Sequence, residues 1–168
     1  LCNCENYRGI ALLDCAYKIL AICLRNRLRV DAERIIGEYQ AGFRANRSTT
    51  EQIYVLKETL ANSYEHNLAA HVVFIDFKQA YDSIRKEKLK EIMGFFGIDT
   101  KLTNLVLMTL SENYCKVLAD GDTSERFEVK KGLRQGDPVS PILFNLCLEW
   151  SMRKSGLYRS GSILHHSH

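Results

Sequence analysis

With 168 residues, 46% of them hydrophobic and 26% charged, the chain has the composition of an ordered globular protein and the length of one domain, which excludes a disordered or low-complexity segment. A formal net charge of +3 is too mild to announce a nucleic-acid partner by itself, so any basic surface has to be argued from local placement. No stretch is apolar for the length of a membrane span, and the amino end lacks the basic-then-apolar layout of a signal peptide.

In chain order, the first residue is Leu1 rather than Met, and a piece of a longer chain is expected. "DCAYKILAICLRNRL", Asp14 to Leu28, carries Tyr17, Leu20, Leu24 and Leu28 at helical spacing, with Arg25, Arg27 and Arg29 late, where cations suit a helix end. "GEYQAGFRANRS" is a glycine-punctuated loop with two arginines. The next helix opens with a Ser48-x-x-Glu51 capping box and places Ile53, Leu56, Leu60 and Tyr64 on one face. "HVVFIDF", His71 to Phe77, is nearly continuous and β-branched or aromatic, as a strand covered on both faces would be. A helix is predicted from about Lys78 to Phe96, with Ile84, Leu89, Ile92, Met93 and Phe96 as its stripe and Gly97 as its stop. Another fits Lys101 to Leu110. "YCKVLAD", "GDTS" and "RFEVKKG" read as strand, turn and strand, closed by Asp120-Gly121. The last helix, Val139 to Met152, takes Pro141 in its first turn, where a missing N–H costs nothing. The tail from Ser155 has no periodicity and is expected to be disordered or foreign. Strands alternating with helices predict a mixed α+β protein.

The six cysteines, Cys2, Cys4, Cys15, Cys23, Cys115 and Cys147, form no CxxC pair and match no zinc spacing. Cys15, Cys23 and Cys147 sit among apolar residues in helical stretches, where a thiol acts as a small hydrophobe, and a reduced intracellular protein is expected.

Asp76 is the only acid in the run from His71 to Phe77. A buried unpaired carboxylate is costly, so it needs a cation, a partner or a water-filled cleft; alternatively Asp76 ends the strand and caps the following helix. Tyr81 is either a packing aromatic or a site residue, and Asp82 suits a helix first turn. In "GLRQGDPVSPILFNLCLE", Gly132 to Glu149, the glycines allow close backbone approach and Pro138 and Pro141 stiffen the loop, which reads either as a substrate-facing wall or as a plain turn into a helix. Gln135 can hydrogen-bond a substrate there without bringing charge.

"VVFIDFKQAYDSI" followed by "GLRQGDPVSPILFNLCLE" resembles motifs A and B of reverse transcriptases, in the form used by non-LTR retrotransposons of the LINE type. "NYRGIALLDCAYKILAICLRNRL" and "QAGFRANRSTTEQI" are similar to motifs 1 and 2 of the same family, and the likeness covers Asn6 to about Arg153. The resemblance implies a partial right-hand polymerase, fingers plus the first part of the palm: residues 1–68 fingers with motifs 1 and 2, 69–97 palm with motif A, 98–131 a fingers helix and β-hairpin, 132–154 the palm motif B loop and helix, and 155–168 the tail. It implies Mg²⁺, with Mn²⁺ as an alternative, held by Asp76 with the Phe77 carbonyl as accessory ligand. Tyr81 matches the steric gate against a ribose 2′-OH, Gln135 and Gly136 the pair that contacts nucleotide and template, and Arg8 the arginine that grips the triphosphate. Arg44, Arg47 and Arg134 are candidates for nucleic-acid phosphates, with a solvated loop an equal account of the first two. An RNA template, a DNA primer, dNTPs and a nuclear location or a cytoplasmic ribonucleoprotein follow from the same resemblance.

The pattern departs from the family in two places. No Y/F-x-D-D motif follows Glu149, and the fingers segment with a phosphate-gripping lysine does not precede Leu1. Asp120 and Asp122 come before motif B and sit at a hairpin tip, so they are not read as its substitute, and His165, His166 and His168 share no framework. The expectation is a reverse transcriptase fragment truncated before motif C and inactive alone, its parent polymerising DNA on RNA; the alternative is a catalytically inactive retroelement remnant with at most weak nucleic-acid binding.

Overall fold

A computed structural model describes residues 9–111 and 113–156. Arg8, His165, His166 and His168 lie outside the described residues, as does most of the tail. In chain order come α1 (Cys15–Ile35), α2 (Thr49–Glu65), α3 (Lys86–Phe95), α4 (Thr100–Leu110), β1 (Tyr114–Cys115), β2 (Leu118–Ala119), β3 (Asp122–Thr123), β4 (Phe127–Glu128) and α5 (Ser140–Ser155). The protein is a mixed α and β structure dominated by helix.

Asp14 starts α1 by accepting from the Ala16 N–H at 2.8 Å. With no Gly or Pro before Gly37, the helix runs past its expected end at Leu28 to Ile35, which leaves Arg25, Arg27 and Arg29 mid-helix and Arg34 in the last turn. Its Ala21, Leu24, Leu28 and Ala32 are buried at helical spacing. Leu89, Ile92 and Met93 of α3, Leu102, Val106 and Leu110 of α4, and Ile142, Leu143, Leu146 and Cys147 of α5 close the same core. Contacts between α1 and α5, α1 and α4, α3 and α4, and α3 and α5 make these four helices one packed unit.

Two expectations are corrected. Residues 71–77 form no strand: Val73, Phe74 and Ile75 are 81%, 81% and 71% exposed, and among the described residues nothing pairs with them. A strand exists only as part of a ladder, and its two apolar faces need layers above and below; composition alone supplies neither. The helix expected from Lys78 begins only at Lys86. Residues 78–83 form turns instead, because the Tyr81 and Ile84 carbonyls accept hydrogen bonds from the chain at Leu133 and Gly132.

Ser48 caps α2 as read, its hydroxyl accepting from the Thr50 N–H at 3.1 Å. The apolar face of α2 is uncovered, however: none of its residues is buried, and among the described residues it packs on no other helix or strand. The predicted hairpin exists as two short ladders, β1 with β4 and β2 with β3. Its tip is Asp120-Gly121, both at positive φ (50° and 90°), the geometry that a two-residue type I′ turn requires.

Candidate functional site

Two backbone hydrogen bonds fasten the loop before α5 to the turn before α3. The Gly132 N–H donates to the Ile84 carbonyl at 2.9 Å, and the Leu133 N–H donates to the Tyr81 carbonyl at 3.0 Å. Gly132 sits at φ 89°, and a Cβ there would stand 3.0 Å from Asp82 Cα, so any side chain at this position is both strained and crowded. Three residues on, the Gln135 carbonyl accepts from the Ala11 N–H at 2.9 Å. Gly136, at φ 102°, would bring a Cβ within 3.2 Å of the Ala11 carbonyl oxygen. Tyr81, Gln135 and Gly136, singled out by sequence, thus belong to one backbone-bonded unit.

Aromatic rings line this unit. Tyr81 is half-buried, its ring 5.4 Å from Phe144 and 6.4 Å from Phe43, and burial raises the pKa of its hydroxyl, which stays protonated at neutral pH. Phe77 meets Phe144 edge-on at 6.3 Å. Asp76, beside Phe77, is exposed and has no hydrogen-bond or ion-pair partner among the described residues. The buried-carboxylate reading does not hold in this structure, nor does Asp76 cap α3, whose first turn begins at Lys86 after Arg85.

Beneath the loop lies a buried polar cluster. Asp137, 3% exposed, accepts from the Tyr17 hydroxyl at 2.5 Å and from the Val139 N–H at 3.0 Å. Burial first, and then the hydrogen bond to Asp137, push the Tyr17 pKa up to about 12. The Arg134 guanidinium lies 5.1 Å from the Tyr17 ring centroid, donates to the Thr109 carbonyl at 2.9 Å and to Asn113 Oδ1, and stands 3.8 Å from Asp137. Arg134 is therefore occupied within the fold.

A second cluster ties the loop after α1 to α5. Asn145, 1% exposed, accepts from Gln40 Nε2 at 3.0 Å and donates to the Gly42 carbonyl at 2.8 Å. One turn on, Glu149 accepts from the Tyr39 hydroxyl at 2.6 Å and from Arg153 Nε at 2.7 Å. Arg44 is turned inwards: it donates to Glu33 at 2.8 Å and to the Gly37 and Gln40 carbonyls at 2.7 and 3.1 Å. Arg47 forms an ion pair with Glu38 at the surface. Sequence reasoning passed over Asp137, Asn145 and Glu149; the signal was present, since a buried apolar helix that carries Asn and Glu four residues apart on one face must give both a partner.

Among the described residues no group of three or more His, Cys, Asp or Glu side chains could hold a metal ion, and no helix is long and apolar enough to cross a membrane.

A family profile described as "Reverse transcriptase (RNA-dependent DNA polymerase)" matches residues 3–158. The chain is similar to the Retrovirus-related Pol polyprotein from type-1 retrotransposable element R2 of Popillia japonica, 25% identical over 88% of this chain and 20% of the relative. It is also similar to the RNA-directed DNA polymerase from mobile element jockey of Drosophila melanogaster, 28% identical over 84% of this chain and 16% of the relative. The Probable RNA-directed DNA polymerase from transposon BS of Drosophila melanogaster is 26% identical over the same shares, 84% and 16%. The chain spans about a fifth or less of the length of these curated relatives.

Proposed function

The chain belongs to the reverse transcriptase (RNA-dependent DNA polymerase) family, and from that premise we propose that it forms the nucleotide-binding part of a retrotransposon polymerase that copies an RNA template from a DNA primer using dNTPs. The observation that carries this reading is the joining of Tyr81 to the Gln135-Gly136 loop through the Leu133 N–H and the Tyr81 carbonyl. An aromatic ring fixed against a rigid, backbone-exposing loop suits selection of a sugar by shape: a ribose 2′-OH meets the ring and a deoxyribose does not. Phe144 behind Tyr81 limits how far the ring can yield.

In this reading residues 1–68 and 98–131 serve as fingers, and residues 69–97 and 132–154 as the first part of the palm. Gln135 and Gly136 face nucleotide and template, and Arg8 takes triphosphate oxygens as a planar donor fork. Arg47 is the candidate for phosphate contact from the loop before α2, since its partner Glu38 is 79% exposed at the side chain and such a surface pair is readily exchanged. Arg44 and Arg134, with their internal partners, hold the loops in place and reach phosphates only by giving those partners up.

Asp76 presents a carboxylate with no partner among the described residues, the donor type that Mg²⁺ or Mn²⁺ takes, with the Phe77 carbonyl next to it. One carboxylate does not fit a two-metal site, so these residues contribute a ligand and do not complete a centre. The chemistry in this part of the chain is binding, orientation and sugar selection.

The reading is tested by extension of a DNA primer on an RNA template with dNTPs or rNTPs, using the protein expressed from its complete reading frame. The expected result is dNTP-dependent synthesis whose preference over rNTPs falls at least tenfold in Tyr81→Val. An unchanged ratio in an active Tyr81→Val protein returns Tyr81 to core packing.

A further inference from the structure

Four non-glycine residues among those described have positive φ: Phe43, Asn46, Asn67 and Asp120. Asn and Asp tolerate this region because their short polar side chains bond locally; a bulky aromatic does not. Phe43 nevertheless sits at φ 57°. Nor does its ring recover that cost by burial, since the residue is 67% exposed.

Both neighbours hold it there. On one side the Gly42 carbonyl accepts from the buried Asn145 amide at 2.8 Å, and on the other Arg44 is bonded to Glu33, the Gly37 carbonyl and the Gln40 carbonyl. Ala41 is buried as well. A chain pinned on both sides has one way to pass between its anchors, and it throws the Phe43 side chain outwards. The ring stands 6.4 Å from Tyr81 at an interplanar angle of 64°, continuing the row of Tyr81, Phe144 and Phe77 to the edge of the loop.

A strained backbone held by buried polar anchors, carrying an exposed aromatic beside a substrate-selecting ring, is the arrangement expected of a contact made with another molecule. We propose that Phe43 is a base-stacking residue, its outward ring taking the face of a nucleobase next to the site that Tyr81 borders. This rests on the nucleotide-site reading above and adds the side chain that grips the base. The base belongs either to the RNA template or to the incoming nucleotide. Stacking suits both, because every base has a π-face and a rigid ring loses little freedom on contact.

Phe43→Gly separates this role from a structural one, because glycine adopts φ 57° without strain while the ring is lost. The protein expressed from its complete reading frame is measured with a DNA primer on an RNA template carrying 2-aminopurine or an abasic sugar at the templating position. The expected result is that Phe43→Gly melts no lower than the unaltered protein. It binds the 2-aminopurine template roughly tenfold more weakly, without fluorescence quenching, and Phe43→Trp restores both. Equal binding of the abasic template by the two proteins assigns the template base. Unchanged template affinity with a roughly tenfold higher KM for dNTP assigns the incoming base. The inference is overturned if affinity and KM both stay within twofold in an active Phe43→Gly protein, or if that variant melts several degrees lower, which makes the ring a packing element. An unaltered protein that synthesises no DNA on the primed RNA removes the nucleotide-site reading itself.

Discussion

The Tyr17 hydroxyl donates a 2.5 Å hydrogen bond to the Asp137 carboxylate, tying the first turn of α1 to the loop that enters α5. Asp137 in turn holds the Val139 N–H at the start of α5, so a contact 120 residues apart in sequence sets where the Gln135-Gly136 segment lies. Tyr17→Phe removes the hydroxyl and keeps the ring under Arg134. It leaves a buried carboxylate one donor short and costs about 1–2 kcal/mol. Chemical denaturation measures this, and a loss below about 0.5 kcal/mol shows that water replaces the hydroxyl at Asp137.

Gly136→Ala is expected to destabilise by at least about 1 kcal/mol, since a Cβ at φ 102° is strained and meets the Ala11 carbonyl oxygen at 3.2 Å. For a chain of this length that corresponds to a melting temperature lower by about 2–4 °C or more. The amide of Ala11, bonded to Gln135, should exchange its hydrogen faster in the variant. Unchanged melting and exchange would mean that the loop shifts freely away from residue 11.

Burial pushes the Cys147 thiol from its usual 9.0 up to about 12, while Cys15 and Cys23 are exposed. At pH 8 iodoacetamide should therefore modify Cys15 and Cys23 and spare Cys147 until the protein unfolds. The linkage sign follows from the raised value. The fold keeps the proton that the unfolded chain releases, so this contribution to stability is complete below pH 9.0 and is lost as pH rises through about 12. The fall in urea midpoint between pH 8 and pH 10 should be shallower in Cys147→Ala than in the unaltered protein. Parallel falls would assign the alkaline loss to other groups, such as Tyr17 and Tyr81, whose hydroxyl pKa values burial also raises.

What was legible in the sequence is what local physics decides. The cap at Ser48, the stripe Leu89, Ile92 and Met93, and the Asp120-Gly121 tip are each specified within a few residues, and each is present. The segment 71–77 was misread because a strand's partner is not encoded next to it, and the start of α3 because the competing hydrogen bonds come from residues 132 and 133. Tyr81, Gln135 and Gly136 were singled out through their motifs, and backbone hydrogen bonds join them in one unit. The inward turn of Arg44 and the outward turn of Phe43 are decided by Asn145 and Glu33, through contacts that side-chain type does not announce.

The central claim, that Asp76 and the Tyr81 loop belong to a polymerase nucleotide site, is tested most directly by primer extension with Asp76→Asn on primed RNA in Mg²⁺, using the protein expressed from its complete reading frame. Asp76 is exposed and has no partner among the described residues, so the substitution removes a charge and no contact among those residues, and the melting temperature should stay unchanged. The account predicts loss of synthesis by more than a hundredfold with the fold intact. Synthesis within tenfold of the unaltered protein would contradict it.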